Sequence, residues 1–577
     1  MGSGGNDLGF LSVLPSLTAI VLAIATHRVL PSLLAGIGIA VWLLPSAPGS
    51  YLATHPDASG LSYAWGACRD WVVSMVGSHL WPNLNDSKWD RSQPIPLVLG
   101  DHAKVFLFTI FLGAQVALIH RMGGMLAIVR SLAPLARTRR RGQALTWLLG
   151  LIIFIDDYAN TLLLGSSMRP LTDRLRISRE KLSFIVDSTA APVSGLALVS
   201  TWVATELSLI EKGFADAGMP LGTETFAILV ATIPFRFYIL FMLAFVWIVA
   251  WTGKDFGPML KAEQSMWRNG VDEKLHGVTR DASEQDATNG RWWFAVIPIM
   301  VTVGWVCYWL WKTGVEAVAA GNLDPGAGWL RRVALIIGNG NSYDALMIGS
   351  LLGLLVAAAI AAWKGAVAPT AIGKAILDGT LHVAPALAIL WLSWTLSHLS
   401  GEEHLATGNY LASLLDNRLP LWAYPTLIFL LGAAVSFATG TSWGTMGILF
   451  PIAIPLVVQA LKTSQGSVDP YDPIMISSLG AVLAGAIFGD HCSPISDTTI
   501  LSSRSSQCHH MEHVRTQMPY ALLSAVVAVL CGTLPCALGV PASICLLAGL
   551  AVLFVFLHAF GGRAEDPVVA DKPATGT

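Results

Sequence analysis

The run Asp490-His491-Cys492-Ser493-Pro494-Ile495-Ser496-Asp497-Thr498-Thr499 lies within a long apolar segment. It sets two acids, a histidine, a helix-breaking proline and four hydroxyls at membrane depth. A carboxylate inside a membrane costs about 2.5–3.5 kcal/mol even on the lenient insertion scale, and is usually kept where it faces an interior cavity. Pro494 removes a backbone donor and is expected to free the carbonyl of Asp490, four residues back, so one position would offer two kinds of oxygen. Two further groups have the same character. Asp156, Asp157, Asn160 and Thr161 interrupt one apolar stretch, and Asp187, Ser188 and Thr189 precede Pro192, which is expected to free the carbonyl of Ser188. Hard monovalent cations take oxygen ligands of these kinds. Burial and a second nearby acid both raise a carboxylate's pKa, so one group can carry a proton near neutrality and ionise when a cation arrives. Sodium and protons would then compete for one site.

These residues have to be positioned by membrane elements. Of the 577 residues 54% are hydrophobic and 12% charged, and the mean hydropathy is +0.60, which makes the chain a polytopic membrane protein. The net charge of −2 carries no information about partners, and no basic stripe suggests nucleic acid. Seven cysteines without CxxC spacing read as small core residues. With about 20 apolar residues per crossing, spans are expected near 8–26, 29–44, 98–120, 181–208, 225–251, 292–311, 335–363, 376–400, 474–503, 518–538 and 541–560. Basic clusters at His27-Arg28, Arg137 to Arg141, Arg169 to Lys181, 254–291, Lys364 and Lys374, and Arg504 to Arg515 all fall on one side, which the positive-inside rule makes cytoplasmic. The N-terminus is then outside, the C-terminus inside, and the first apolar run is a retained span.

Two apolar stretches resist this ruler. Gln143 to Pro170 is flanked by arginines at both ends and interrupted at Asp156 to Thr161, leaving halves too short to cross. It is expected to enter, break and return, with its non-helical backbone buried in protein or lining a water-filled cavity. Leu421 to Leu456 breaks at Ala438-Thr439-Gly440-Thr441-Ser442-Trp443-Gly444 between acidic or neutral flanks and is expected to dip in from the other side. Overlaid without gaps, Asn160-Thr161 meets Thr441-Ser442 and Pro170 meets Pro451. Each following span carries an acid and then Pro-aliphatic-Ser: Asp187 with Pro192-Val193-Ser194, and Asp490 with Pro494-Ile495-Ser496. Oppositely oriented repeats with broken helices are a transporter signature. The organisation expected is 1–97, N-terminal spans and an external loop (45–97) with an interfacial piece at Trp65, Trp71, Val72 and Met75; 98–252, a first repeat holding hairpin 143–170; 253–375, a cytoplasmic linker and connecting spans; 376–560, a second repeat holding hairpin 421–456; and 561–577, a disordered tail.

Other polar residues have blander readings beside the functional ones. Cys508, His509, His510, Glu512 and His513 resemble a metal cluster but sit among cytoplasmic charges without a second ligand pair. His491 either titrates or packs through hydrogen bonds. Arg236 either binds an organic anion or site acid, or forms a structural ion pair. Asp344 reads as a helix cap, and a single Ser or Thr as a back-bond to its own helix.

Three segments, FIDDYANTLLLGSSMRPLTDRLRISREKLSFIVDSTAAPV (154–193), ATGTSWGTMGILFPIAIP (438–455) and GDHCSPISDTTILSS (489–503), resemble the NhaC family of sodium/proton antiporters within the ion-transporter superfamily. The likeness runs over roughly 100 to 540. It implies an all-α polytopic fold of about 11 transmembrane helices plus two re-entrant hairpins in an inverted repeat, secondary active transport, and an elevator motion of a transport domain against a scaffold. Carried onto this chain, the site is Asp156, Asp157, Asn160, Thr161, Asp187, Ser188, Thr189, Thr441, Ser442, Asp490, His491, Ser493, Ser496, Asp497 and Thr498, with Na+ at Asp157, Asp187 and Asp490. The function implied is exchange of Na+ (or Li+) for H+ in the plasma membrane, with no cofactor and a homodimer as one assembly. The same resemblance covers exchangers of malate and lactate and carriers of amino acids, so a Na+- or H+-coupled exchanger or symporter of a small organic solute is the alternative. A channel would lack proton coupling, and no nucleophile paired with a base or cofactor motif suggests an enzyme.

Overall fold

The computed structural model describes residues 9–26, 28–43, 101–221, 224–270, 290–320, 336, 340–364, 367–400, 405, 407, 410 and 419–566. The expected external loop with its tryptophans, residues 271–289 of the linker and the tail beyond 566 lie outside the described residues. The rest is helical, apart from a ribbon of two residues per strand pairing Lys254–Asp255 with Gly562–Arg563.

Among the described residues eight helices are long and apolar enough to cross a membrane, or nine if the bent pair Thr225–Phe235 and Phe237–Thr252 is one span. Ser442–Gln465 joins the expected spans in this count, and two of the expected spans are broken. The segments 8–26 and 29–44 form a 3-10 turn Gly9–Val13 that runs into helix Leu14–Thr26, and helix Val29–Leu43. They fold back on each other, and their turn sits beside Gly444, whose Cβ would meet Val29. The segment 181–208 is not continuous: Arg179–Thr189 ends, a four-residue turn follows at Ala191–Ser194, and a new helix Thr201–Asp216 starts at its Ser200 cap. The segment 474–503 likewise divides into Pro473–Cys492 and Asp497–Ser505, the latter capped by Ser496.

Helices Arg139–Ile152 and Asp157–Arg174 form an antiparallel hairpin, since the Arg139 guanidinium donates to the carbonyl of Arg176 and a Cβ on Gly142 would strike Leu175. The chain then turns at Ser178 into Arg179–Thr189, which runs beside the first arm so that Gly150 meets Thr189. The second half repeats this order. Ala423–Thr439 and Ser442–Gln465 form a hairpin, and Pro473–Cys492 runs beside the first arm, with Gly485 against Phe429 and Gly489 against Ala433. At its bend Gly440 adopts φ +67°, and any Cβ there would lie 2.6 Å from the carbonyl oxygen of Ile495. Only glycine serves. The second arm has 24 residues and is itself long enough to cross, so length alone does not dictate that this hairpin returns.

The second arms start at Asp157 and Ser442, and Pro170 and Pro455 each stand thirteen residues further on.

The two broken segments pass one another in opposite directions. Ser188 faces His491, Asp187 faces Thr499, Ser183 faces Ser502 and Arg179 faces Gln507. Each then lies along the other half's hairpin: Trp202 packs on Trp443 and Gly213 on Ile454, while Tyr158 meets Asp497 and Gly165 meets Ser505. A separate layer of Asp101–Arg121, Trp293–Ala320, Ser342–Trp363 and Pro369–Ser400 packs through Gly113, Gly349 and Gly353.

Basic segments gather at one end of this assembly. Arg139 pairs with Glu263, Arg176 donates to the carbonyl of Trp267, and buried Lys181 pairs with Asp255. In a cysteine-free background, Arg139→Cys and Arg176→Cys should both be labelled by a membrane-impermeant thiol reagent from the cytoplasmic face alone. Labelling from opposite faces would mean that 139–174 crosses the membrane once.

Candidate functional site

The bends of both hairpins and the interruptions of both broken segments meet. Asp157 is the first residue of its arm and is 2% exposed; its Oδ1 has no hydrogen-bond partner. Asp156 accepts from Thr201 Oγ1 at 3.1 Å, and the Thr201 amide binds the carbonyl of Ile155 at 2.9 Å, which ties the first bend to the first broken segment. Asp187 is 1% exposed and takes both Thr499 Oγ1 (3.0 Å) and Gln517 Nε2 (2.7 Å) on Oδ2, leaving Oδ1 without a partner. Asp490 accepts from Ser442 Oγ at 2.8 Å on Oδ2, and its Oδ1 is likewise unpartnered. Asp157 lies within electrostatic reach of Asp156 and Asp490, and Asp187 within reach of Asp490, so the acids act on one another.

Asn160 and Thr161 do not stand at the break, which falls at Ile153–Asp156; they lie inside the second arm. Asn160 Nδ2 sits 2.8 Å from the carbonyl oxygen of Gly150 and 3.0 Å from those of Ile153 and Thr189, while its Oδ1 has no partner. Thr161 donates back to the carbonyl of Asp157, and Thr189 and Thr439 to those of Ile185 and Val435. For these three hydroxyls the back-bond reading is correct. Thr441 and Ser496 are helix caps, accepting from the amides of Gly444 and Thr499.

The carbonyl expected to be freed by Pro494 is not idle. The helix ends before the proline, and the Ser493 amide donates to Asp490 O at 2.9 Å. Ser493 Oγ donates to the carbonyl of Phe437 at 2.7 Å, pinning this interruption to the second hairpin. Thr498 turns to Ser496, and Asp497 is exposed and meets the Tyr158 hydroxyl at 3.4 Å, apart from the buried acids. His491 holds Ser188 Oγ on Nε2 (3.1 Å) and the Tyr238 hydroxyl on Nδ1 (2.7 Å).

Several contributors were not expected. Gln517 joins Asp187 to the carbonyl of His491 (2.5 Å) and its Oε1 accepts from His513 Nε2 (2.8 Å). It stands one residue before the expected start of the 518–538 span, so a boundary error hid it; the signal was His513 and Gln517 at i, i+4 on one face of helix His510–Val527. Of the run Cys508, His509, His510, Glu512 and His513, His510 and His513 share the Ser503 hydroxyl at 3.1 and 2.8 Å, His510 also meets the carbonyl of Pro494, and Cys508 turns to the carbonyl of His509. Arg236 is a structural ion pair: it holds Glu206 at 2.9 Å, Thr232 Oγ1 at 3.0 Å and the carbonyl of Gly195. Asp344 is not the cap. Asn341 caps, and Asp344 sits one turn in, paired with Lys104 at 2.9 Å.

The arrangement offers unpartnered oxygens of Asp157, Asn160, Asp187 and Asp490 where helix ends meet, a donor set suited to a hard cation. A profile of the Na+/H+ antiporter family matches residues 193–534. An uncharacterised protein of Haemophilus influenzae is 32% identical over 511 residues, 88% of each chain. The malate-2H+/Na+-lactate antiporter of Bacillus subtilis is 35% identical over 108 residues, 18% of this chain and 21% of that one. The YdaH transporter of Alcanivorax borkumensis superposes over 94% of this chain and 98% of its own, at 14% identity and a TM-score of 0.49.

Asn160 is predicted to be the main structural fastener. Asn160→Leu strips a shared donor from buried carbonyls, each of which costs about 1–3 kcal/mol when left unsatisfied. Detergent-solubilised N160L should unfold several degrees below wild type; an unchanged midpoint would show that other donors hold the bend.

Proposed function

The chain belongs to the Na+/H+ antiporter family, and on that premise we propose that it exchanges Na+ or Li+ for H+ by alternating access, using one carboxylate site for both ions. The observation that carries this reading is that Asp157, Asp187 and Asp490 are all buried and each leaves one carboxylate oxygen without a donor. A bare carboxylate in that position is costly, and either a proton or a bound cation removes the cost. The two ions are therefore alternatives at one place. If the protein moves its site across the membrane only when it is occupied, obligatory exchange follows without a separate coupling device.

The second arms act on the acids. The arms starting at Asp157 and Ser442 put helix N-termini beside these acids, and such ends favour negative charge. The acids thus keep enough anionic character to attract a cation. Hydroxyls of Ser442 and Thr499 sit 2.8 and 3.0 Å from Asp490 and Asp187 and add oxygens beside them. An organic carboxylate would need a cation or a helix N-terminus facing it. Arg236, the buried candidate, has its donors engaged by Thr232, Gly195 and Glu206.

The sign of the pH dependence follows. Protonation on the loading side removes the sodium site, so the half-saturating Na+ concentration should rise as pH falls, by about tenfold per unit once a single competing proton is mostly bound, with the maximal rate at saturating Na+ largely kept. Half-saturation that does not move with pH would favour a channel or a carrier whose site does not titrate.

Asp157→Asn and Asp490→Asn keep size and burial but remove the exchangeable proton, and each should bring sodium-driven proton movement in proteoliposomes to background. Asp344→Asn lies outside the site and should retain most of the rate. Normal exchange by both site variants would place the ion elsewhere.

A further inference from the structure

Asp187 is held through Oδ2 while its Oδ1 stays unpartnered, and one of the groups that hold it is itself held. Gln517, on helix His510–Val527, sets Nε2 between two acceptors, 2.7 Å from Asp187 Oδ2 and 2.5 Å from the carbonyl oxygen of His491. One carboxamide thus ties an acid of the first half to the residue that follows Asp490 in the second. Its orientation is forced. Turning the carboxamide over would press Oε1 against two acceptor oxygens and waste both hydrogens, and in its present place Oε1 accepts from His513 Nε2 at 2.8 Å.

The chain of contacts closes on itself. Nδ1 of His513 lies 2.8 Å from Ser503 Oγ, Ser503 Oγ donates to the carbonyl of Thr499 at 2.7 Å, and Thr499 Oγ1 donates to Asp187 Oδ2 at 3.0 Å. Asp187, Gln517, His513, Ser503 and Thr499 therefore form a ring carried by helices Arg179–Thr189, Asp497–Ser505 and His510–Val527, and none of the five residues is more than 1% exposed. Such a ring leaves Asp187 few ways to turn.

Asp187 and Asp490 lie within electrostatic reach of each other, and each keeps an unpartnered Oδ1. Because Gln517 binds Asp187 and the carbonyl next to Asp490 at once, it fixes where these two open oxygens stand relative to one another. We infer that Gln517 is a positioning residue that sets which monovalent cation the acids accept, with His513 and Ser503 keeping its carboxamide in the donating orientation. This rests on the exchange proposed above and adds to it a source of selectivity in groups that do not touch the ion. Ligands held at one spacing discriminate between ions of different radius, whereas ligands free to close or open accept them more evenly. Removing a partner that orients a metal ligand typically costs about 10–100-fold in affinity.

Gln517→Met keeps length and burial but removes the donor, which also alters the hold of Asp187 on a proton. The two effects separate cleanly. Proton competition scales the half-saturating concentration of every cation by one factor, whereas a change in ligand spacing alters their ratios. The test is proton movement in proteoliposomes of the full-length protein, driven in turn by Li+, Na+ and K+, taking the half-inhibiting concentration against Na+ for a cation that drives none. Q517M should raise half-saturating Na+ by about tenfold or more, keep the maximal rate within about threefold, and draw the three cations together by about threefold. H513L and S503A should shift the ratios the same way by less, and Q517M/H513L should match Q517M, since His513 acts through Gln517. A raised half-saturation with unchanged ratios, or a lower maximal rate alone, would overturn the inference. So would wild-type ratios in both H513L and S503A, milder changes that keep the test open if Q517M folds poorly. Wild-type protein that moves no protons with any of the three cations would overturn the proposed exchange itself, and this inference with it.

Discussion

A helix that stops inside a membrane releases amides and carbonyls that water cannot satisfy, and these must be repartnered by the protein. This chain stops four times around one point, and its polar side chains are committed there to backbone groups. Asn160 holds the carbonyls of Gly150, Ile153 and Thr189; Ser493 holds that of Phe437; Gln517 that of His491; and Arg236 that of Gly195. Ser200, Thr441 and Ser496 cap the helices that restart. Beside these bonds, Asp157, Asp187 and Asp490 each keep one carboxylate oxygen without a hydrogen-bond partner. The interruptions are satisfied while the acids stay incomplete.

That incompleteness is shared between the halves. Asp187 is held by Thr499 from the second half, Ser188 by His491, and Asp156 by Thr201 from beyond the first interruption. Because the broken segments run in opposite directions past one another, a displacement of either hairpin changes the surroundings of acids on both. The layer built from Asp101–Arg121, Trp293–Ala320, Ser342–Trp363 and Pro369–Ser400 contributes none of these acids and packs through glycines with its own members. The layer meets the hairpins where His382 packs edge-on against Tyr158.

The acids were legible from sequence because charge in an apolar segment is expensive and conspicuous. The positions of the breaks were less so. Polar residues at Asn160 and Thr161 suggested a loop, whereas a helix accommodates them once Asn160 reaches across to foreign carbonyls and Thr161 bonds backwards. Pro494 cannot itself bond the carbonyl of Asp490, but the chain turns one residue earlier and the Ser493 amide takes it. Gln517 was missed because it lies in a polar helical turn leading into an apolar run, and only the approach of Asp187 from 330 positions away gives it a role. The ion pair of Arg236 with Glu206 was open in sequence for the same reason: pairing across 30 residues is a property of packing.

The central claim is that one carboxylate site holds either a proton or a sodium ion. It is tested most directly by adding Na+ to the detergent-solubilised protein in weakly buffered solution near neutral pH and measuring protons released per ion bound. The account predicts release that accompanies binding in wild type and disappears in Asp490→Asn. Sodium binding of similar affinity with no proton release would contradict it.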